Sequence, residues 1–158
     1  MKVLLAVLVS GTVTFAQAPA APAASRTMVS ASDVAAMIAK AKAERKDQPN
    51  IAQSMIQLAP YNVSLEYRAS VGPAAVHDTE AELFYVVDGS ATLVTGGTLT
   101  DSTRNGANLT GKGIQGGTSR KVAKGDFIMV PEGQAHWFSA IDGTVVLMSL
   151  HLPHAPAK

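Results

Sequence analysis

From about residue 51 onward the chain is broken into short apolar runs at nearly regular intervals, each closed by Gly, Pro, Asn or Asp. SMIQLAP, NVSLEYRAS, ELFYVVDG, ATLVTGG, SRKVAKGD, FIMVPEG, HWFSAIDG and TVVLMSLHLP follow one another in this way. Runs of this length rich in β-branched residues fold as strands between turns, and their steady recurrence predicts an all-β, antiparallel sandwich or barrel. The alternation in NVSLEYR places Val63, Leu65 and Tyr67 on one face and Ser64, Glu66 and Arg68 on the other. Aromatic residues make up only 5% of the chain, so the core must be built mainly from Val, Leu, Ile and Met.

The segment ahead of the strands has another character. MKVLLAVLVSGTVTFAQAPAAPAAS carries Lys2, an apolar run from Val3 to Phe15 and then small residues, the pattern of a secretory signal peptide. The run is shorter than the ~20 residues that span a bilayer, which favours cleavage over anchoring. A cut after Ala18 would leave Pro19 beside the scissile bond, so Ala18 and Ala20 are taken as the recognised small residues. The expected organisation is a signal peptide over 1–20, a flexible leader over 21–29, a helix over 30–47 and a barrel domain over 51–153. The helix follows from a Ser cap at 30 or 32, Asp33 in the first turn, basic residues toward the end, and Val34, Met37, Ile38 and Ala41 at helical spacing. The expected location is periplasmic or secreted, with no stable membrane insertion after processing. The chain has no Cys, so neither a lipid-modified Cys nor a disulfide can hold it.

Lys and Arg total 13 against 12 Asp and Glu, a balance with no footprint for nucleic acid, and the expected partner is a small molecule. Residues 95–117 are polar and glycine-rich, bounded by two GG pairs, and read either as an extended hairpin or as a lid. Their glycines match no phosphate-cradle pattern.

In ELFYVVDG an extended chain puts Glu82, Phe84 and Val86 on one face. A carboxylate among such neighbours would be buried, which costs several kcal/mol unless it is paired or binds a metal. His77 precedes it across DTEA, a turn that lets the two side chains converge. GDFIMVPEGQAHWF supplies a second imidazole, with Asp126 serving its turn and His136 opening a strand on which Trp137 and Phe138 face opposite ways.

These residues resemble the cupins, whose first motif is G-x5-H-x-H-x3-4-E-x6-G and second G-x5-P-x-G-x2-H-x3-N. His77-x4-Glu82-x6-Gly89 fits the first from its second histidine, and Gly125-x5-Pro131-x-Gly133-x2-His136 fits the second up to its last position, where Ala140 stands. The resemblance covers about residues 54–152 and implies an antiparallel jelly-roll β-barrel, commonly dimeric. It also implies a divalent metal, Fe, Mn, Ni or Zn, held by His77, Glu82 and His136. The family's first histidine falls on Ala75. An alternative register makes His77 the first histidine and Thr79 the second, with Glu80 or Asp78 completing the set, but it loses the spacings kept by the other. Two imidazoles and a carboxylate with open positions suit non-haem Fe(II) or Zn. His151 in SLHLP is a candidate fourth ligand if it faces inward, whereas His154 falls in a tail expected to be unstructured.

Arg68, Glu80, Phe84 and Phe138 are the candidate substrate-binding residues, with Arg68 and Glu66 either lining the lumen or forming an outward charged pair. Tyr85 is expected to pack against a neighbouring sheet or subunit, and SMIQLAP and TVVLMSLHLP are the expected faces of a homodimer. The resemblance implies dioxygenase, isomerase, lyase or epimerase chemistry, and a non-catalytic module binding a sugar or aromatic acid is the alternative.

Overall fold

The computed structural model describes residues 25–154, and the expected signal peptide lies outside them. Helix α1 (Ala31–Glu44) opens with a reciprocal capping box: Ser30 Oγ accepts from the Asp33 amide, and the Asp33 carboxylate accepts from the Ser30 amide. The Ser30 hydrogen bonds hold the Asp33 carboxyl below its usual range.

The strands are β1 (Asn50–Leu58), β2 (Tyr61–Arg68), β3 (Ala74–His77), β4 (Glu80–Thr95), β5 (Thr98–Thr100), β6 (Thr103–Asn105), β7 (Asn108–Gly111), β8 (Gly113–Gln115), β9 (Thr118–Ala123), β10 (Phe127–Val130) and β11 (His136–Pro153). Every strand pairing is antiparallel. Two pairs of runs that read as separate strands are each continuous: ELFYVVDG with ATLVTGG forms β4, and HWFSAIDG with TVVLMSLHLP forms β11. β4 and β11 pair from Thr95↔His136 to Glu80↔Pro153, with register shifts that bend the long ribbon. Gly89 sits at one such shift with φ +78°, and a Cβ there would lie 2.0 Å from the Thr144 carbonyl oxygen. Only glycine fits that position.

Because β4 and β11 bend, each serves two walls. Their outer halves join β1, β2 and β10, and their other halves join β3, β7, β6 and β9. Phe84, Val86, Leu93, Val130, Phe138, Val145 and Leu147 fill the space between. Each such side chain contributes roughly 1.5–3 kcal/mol on full burial. A second cluster lies on the outside of the β1–β2–β11 wall, where Val34, Met37, Ile38 and Ala41 of α1 cover Met55, Val63, Leu65, Tyr67 and Val146.

The 95–117 segment is a hairpin extension. β5 pairs with β8, β6 with β7, and β7 adds to the barrel against β3. The expected interface strand SMIQLAP is partly taken, since Met55 is buried in the cluster beneath α1. Leu58 of the same run stays 46% exposed, and on β10 Phe127 is 69% and Met129 52% exposed. Tyr85 packs on Phe127 there, with ring centroids 4.6 Å apart.

Candidate metal centre

The period-two alternation of β4 turns Glu82 inward with Phe84 and Val86, and leaves its carboxylate only 4% exposed. On β11 the same alternation turns Val145, Leu147, Ser149 and His151 toward the lumen, and β11 pairing sets His151 opposite Glu82. His77 ends β3 and His136 begins β11, so the two lie at strand ends facing the same carboxylate.

Three imidazole nitrogens meet on that carboxylate. His77 Nε2 is 3.3 Å and His136 Nε2 3.2 Å from Glu82 Oε2, and His151 Nε2 is 3.3 Å from Glu82 Oε1. The His77 ring centroid lies 5.3 Å from that of His136 and 4.9 Å from that of His151. Donor atoms of His77, Glu82 and His151 all fall within 4.8 Å of one another. Neighbouring ligands on one ion with bonds of about 2.0–2.1 Å stand roughly 3 Å apart, so the spacings of His77 and His136 from Glu82 Oε2 have the right scale.

The outer nitrogens fix the tautomers of His77 and His151. His151 Nδ1 lies 3.0 Å from Glu80 Oε2, His77 Nδ1 2.7 Å from Asn108 Oδ1, and His136 Nδ1 3.5 Å from the Gln134 carbonyl. A carboxylate and an amide oxygen accept only, so Nδ1 of His151 and of His77 donates, and in a neutral imidazole the Nε2 then presents a bare lone pair to Glu82, while the 3.5 Å contact of His136 is too long to impose a tautomer. Lone pairs facing an acceptor need a cation between them. Three imidazolium protons would set three positive charges against one buried negative charge, whereas a divalent cation among His77, Glu82 and His151 satisfies their nitrogens without them, and His136, which faces Glu82 Oε2, stands outside that group of three. The donor set therefore fits a divalent metal.

Without metal the site relies on shared protons. Burial pushes the Glu82 carboxyl up, but hydrogen bonds from His136 and His77, the His136 charge and the Ser149 hydroxyl outweigh it and hold the group well below the usual carboxylate range. The Glu82 hydrogen bond raises His77 above its ordinary value against partial desolvation, with Asn108 adding to the rise.

The sequence-predicted residues fall in distinct places. His77, Glu82 and His136 converge, and His151 faces inward and joins them. Glu80 sits at the rim behind His151. Phe84 and Phe138 are 0% and 1% exposed and pack edge to face at 5.4 Å, so they belong to the core, with Phe84 forming the floor 5.8 Å from the His136 ring. Neither presents surface to a ligand in this structure. Arg68 lies on the lumen side, its guanidinium 4.7 Å over the Phe138 ring and 2.6 Å from Glu66 Oε2, which settles the open alternative in favour of an inward pair. It stands toward the other end of β2 from Asn62, the residue opposite His151. His154, expected in an unstructured tail, donates its amide to the Thr79 carbonyl and places Nδ1 2.8 Å from the Glu132 carboxylate. Ser149, Asn108 and Gln134 were not singled out by the sequence. Ser149 shares the inward phase of TVVLMSLHLP with His151, which was the available signal.

Residues 41–156 match the cupin family. The chain is a cupin. Among solved structures it is similar to KdgF from Halomonas sp., with a TM-score of 0.51 and 14% identity over 70% of this chain and 84% of that one. It is also similar to a cupin superfamily protein of Desulfitobacterium hafniense, with a TM-score of 0.47 and 16% identity over 67% and 79% of the two chains. The iron(II) form of HppE is a further structural relative, with a TM-score of 0.48 and 13% identity over 65% of this chain and 50% of that one. At these identities the likeness concerns the fold, and no curated protein sequence matches this cupin.

Proposed function

We propose that this cupin is an exported small-molecule metalloenzyme that holds one divalent ion, Fe, Mn, Ni or Zn, through His77, Glu82, His136 and His151. The observation that carries the reading is the convergence of three Nε2 atoms, at 3.2 to 3.3 Å, on one buried carboxylate, with the lone pairs of His77 and His151 pointing inward. A metal there supplies Lewis-acid chemistry, or oxygen activation if it is iron, with open positions for substrate oxygens. The chain's own contribution is positional. Asn108 and Glu80 hold the His77 and His151 rings in their ligating tautomers, and Phe84 closes the floor so that a substrate approaches from the partly exposed side of His77, His151 and Glu80. Glu80, 37% exposed, is the acidic group nearest that approach and is the candidate to contact substrate.

The same site in a non-catalytic role, capturing a sugar or aromatic acid, is favoured by one observation: Glu80 is already engaged by His151. Turnover abolished by chelator and restored by a single metal supports the enzyme, and ligand affinity indifferent to chelator supports the binding module. The leader sequence supports export to the periplasm or beyond, tested by sequencing the N-terminus of the mature protein. The open Phe127 and Met129 side chains support a homodimer through β10.

A further inference from the structure

One buried hydroxyl beside the site has no role in the set of ligands. Ser149 is 1% exposed, and its Oγ lies 2.5 Å from Glu82 Oε1. A serine hydroxyl carries one proton, and against an acceptor-only carboxylate it must donate that proton to Oε1, as a charge-assisted hydrogen bond at the short end of the range. The two carboxylate oxygens are thereby made different. Oε1 is engaged by Ser149 and also lies 3.3 Å from His151 Nε2, while Oε2 faces His77 Nε2 and His136 Nε2 with no hydroxyl or amide donor among the described residues.

We propose that Ser149 is a positioning residue that reserves Glu82 Oε2 for the metal, holding the carboxylate to one-oxygen binding and so keeping further coordination positions open for a ligand. This rests on the metal-binding reading above and adds to it the residue that sets the carboxylate's mode. The placement is built into the fold: Ser149 lies two residues from His151 on β11, directly across from Phe84 on β4 and Ser64 on β2. With Phe84 in the core on one side, the hydroxyl has the Glu82 oxygen as its acceptor and cannot turn to water. Removal of the hydroxyl leaves Oε1 beside His151 Nε2 without the serine proton, free to turn to the metal as well.

The test uses the mature full-length chain and Co(II), whose visible absorption weakens as coordination number rises. Wild type, Ser149→Ala, Ser149→Thr and Ser64→Ala are titrated with Co(II) alone. The expected result for Ser149→Ala is about 10–100-fold weaker binding, the usual effect of losing an outer partner of a ligand, together with a weaker visible band as Oε1 joins the ion. Ser149→Thr restores both, and Ser64→Ala behaves as wild type. A merely structural serine would change thermal stability without changing the band. Ser149→Gly is the second truncation if the alanine variant fails to fold. If wild type binds Co(II) and Ser149→Ala matches it in affinity and spectrum, or Ser149→Thr fails to restore a lost band, the role of Ser149 is overturned and the metal site stands. If wild type takes up no Co(II), the metal reading itself is overturned and this proposal with it.

Discussion

His151 Nε2 stands 3.3 Å from Glu82 Oε1, on the strand paired with that of Glu82 and at the residue directly opposite it. In the usual cupin motif a histidine where Ala75 stands would bring the ligand set to three imidazoles and a carboxylate. Here the last strand brings a third imidazole, His151, to the same carboxylate from the other side of the ribbon. His151→Ala is therefore expected to weaken metal binding by at least the ~10–100-fold that loss of a mere outer partner costs. Competition against a chromophoric chelator measures it, and affinity equal to wild type would remove His151 from the set.

Glu80 acts on the same ring from behind. Glu80→Gln keeps an acceptor for His151 Nδ1 and should change metal affinity little, whereas Glu80→Ala frees the ring to turn and should cost about 10–100-fold. Equal losses in both variants would show that the charge, and not ring orientation, is what matters.

The first cupin motif was legible in part for physical reasons. His77, Glu82 and Gly89 keep spacings dictated by one strand and its bend, and His136 follows from the turn built on Pro131 and Gly133, so four positions could be read from local pattern. His151 could not be fixed that way. Its face depends on the register of β11 against β4, and that register shifts at Phe138/Ala140, Ile141/Val145 and Val146/Leu147, which period-two counting along the sequence does not reveal. The same bends hid the continuity of β4 and β11. Burial of Phe84 and Phe138 was misread because inward-facing was equated with ligand-facing, while a small lumen is filled by its own side chains.

If these phenylalanines are core, Phe138→Ala should lower stability by about 3–5 kcal/mol, as large-to-small changes do at fully buried sites. Urea unfolding of the metal-loaded protein checks this. A change under 1 kcal/mol would mean the ring is dispensable to packing and free to serve a ligand.

The titrating groups give the metal-free protein a pH window. Glu82 is depressed in the fold, so its contribution is present above its unfolded value of about 4.3 and is lost as pH falls through the folded one. His77 is raised, so its contribution is fully present below about 6.5 and is lost as pH rises through the folded value. Thermal stability of the metal-free chain should peak in mildly acidic solution and decline above neutrality. Added metal replaces the shared proton and should reverse that decline. A profile flat from pH 5 to 8, unchanged by metal, would contradict the proton sharing at Glu82.

Phe127 and Met129 lie open on β10 beside Tyr85. Light scattering of the purified chain is expected to give the mass of a dimer, and Phe127→Ser that of a monomer. A wild-type monomer at tens of micromolar would leave this face without a second copy.

Elemental analysis by plasma mass spectrometry tests the metal centre most directly. The chain is purified untagged and without chelator, beside Glu82→Ala and His136→Ala. The account predicts one equivalent of divalent metal per wild-type chain, abolished in Glu82→Ala and sharply reduced in His136→Ala, with both variants folded by circular dichroism. Substoichiometric metal that neither substitution alters would contradict it, and would leave three histidines gathered on Glu82 by hydrogen bonding alone.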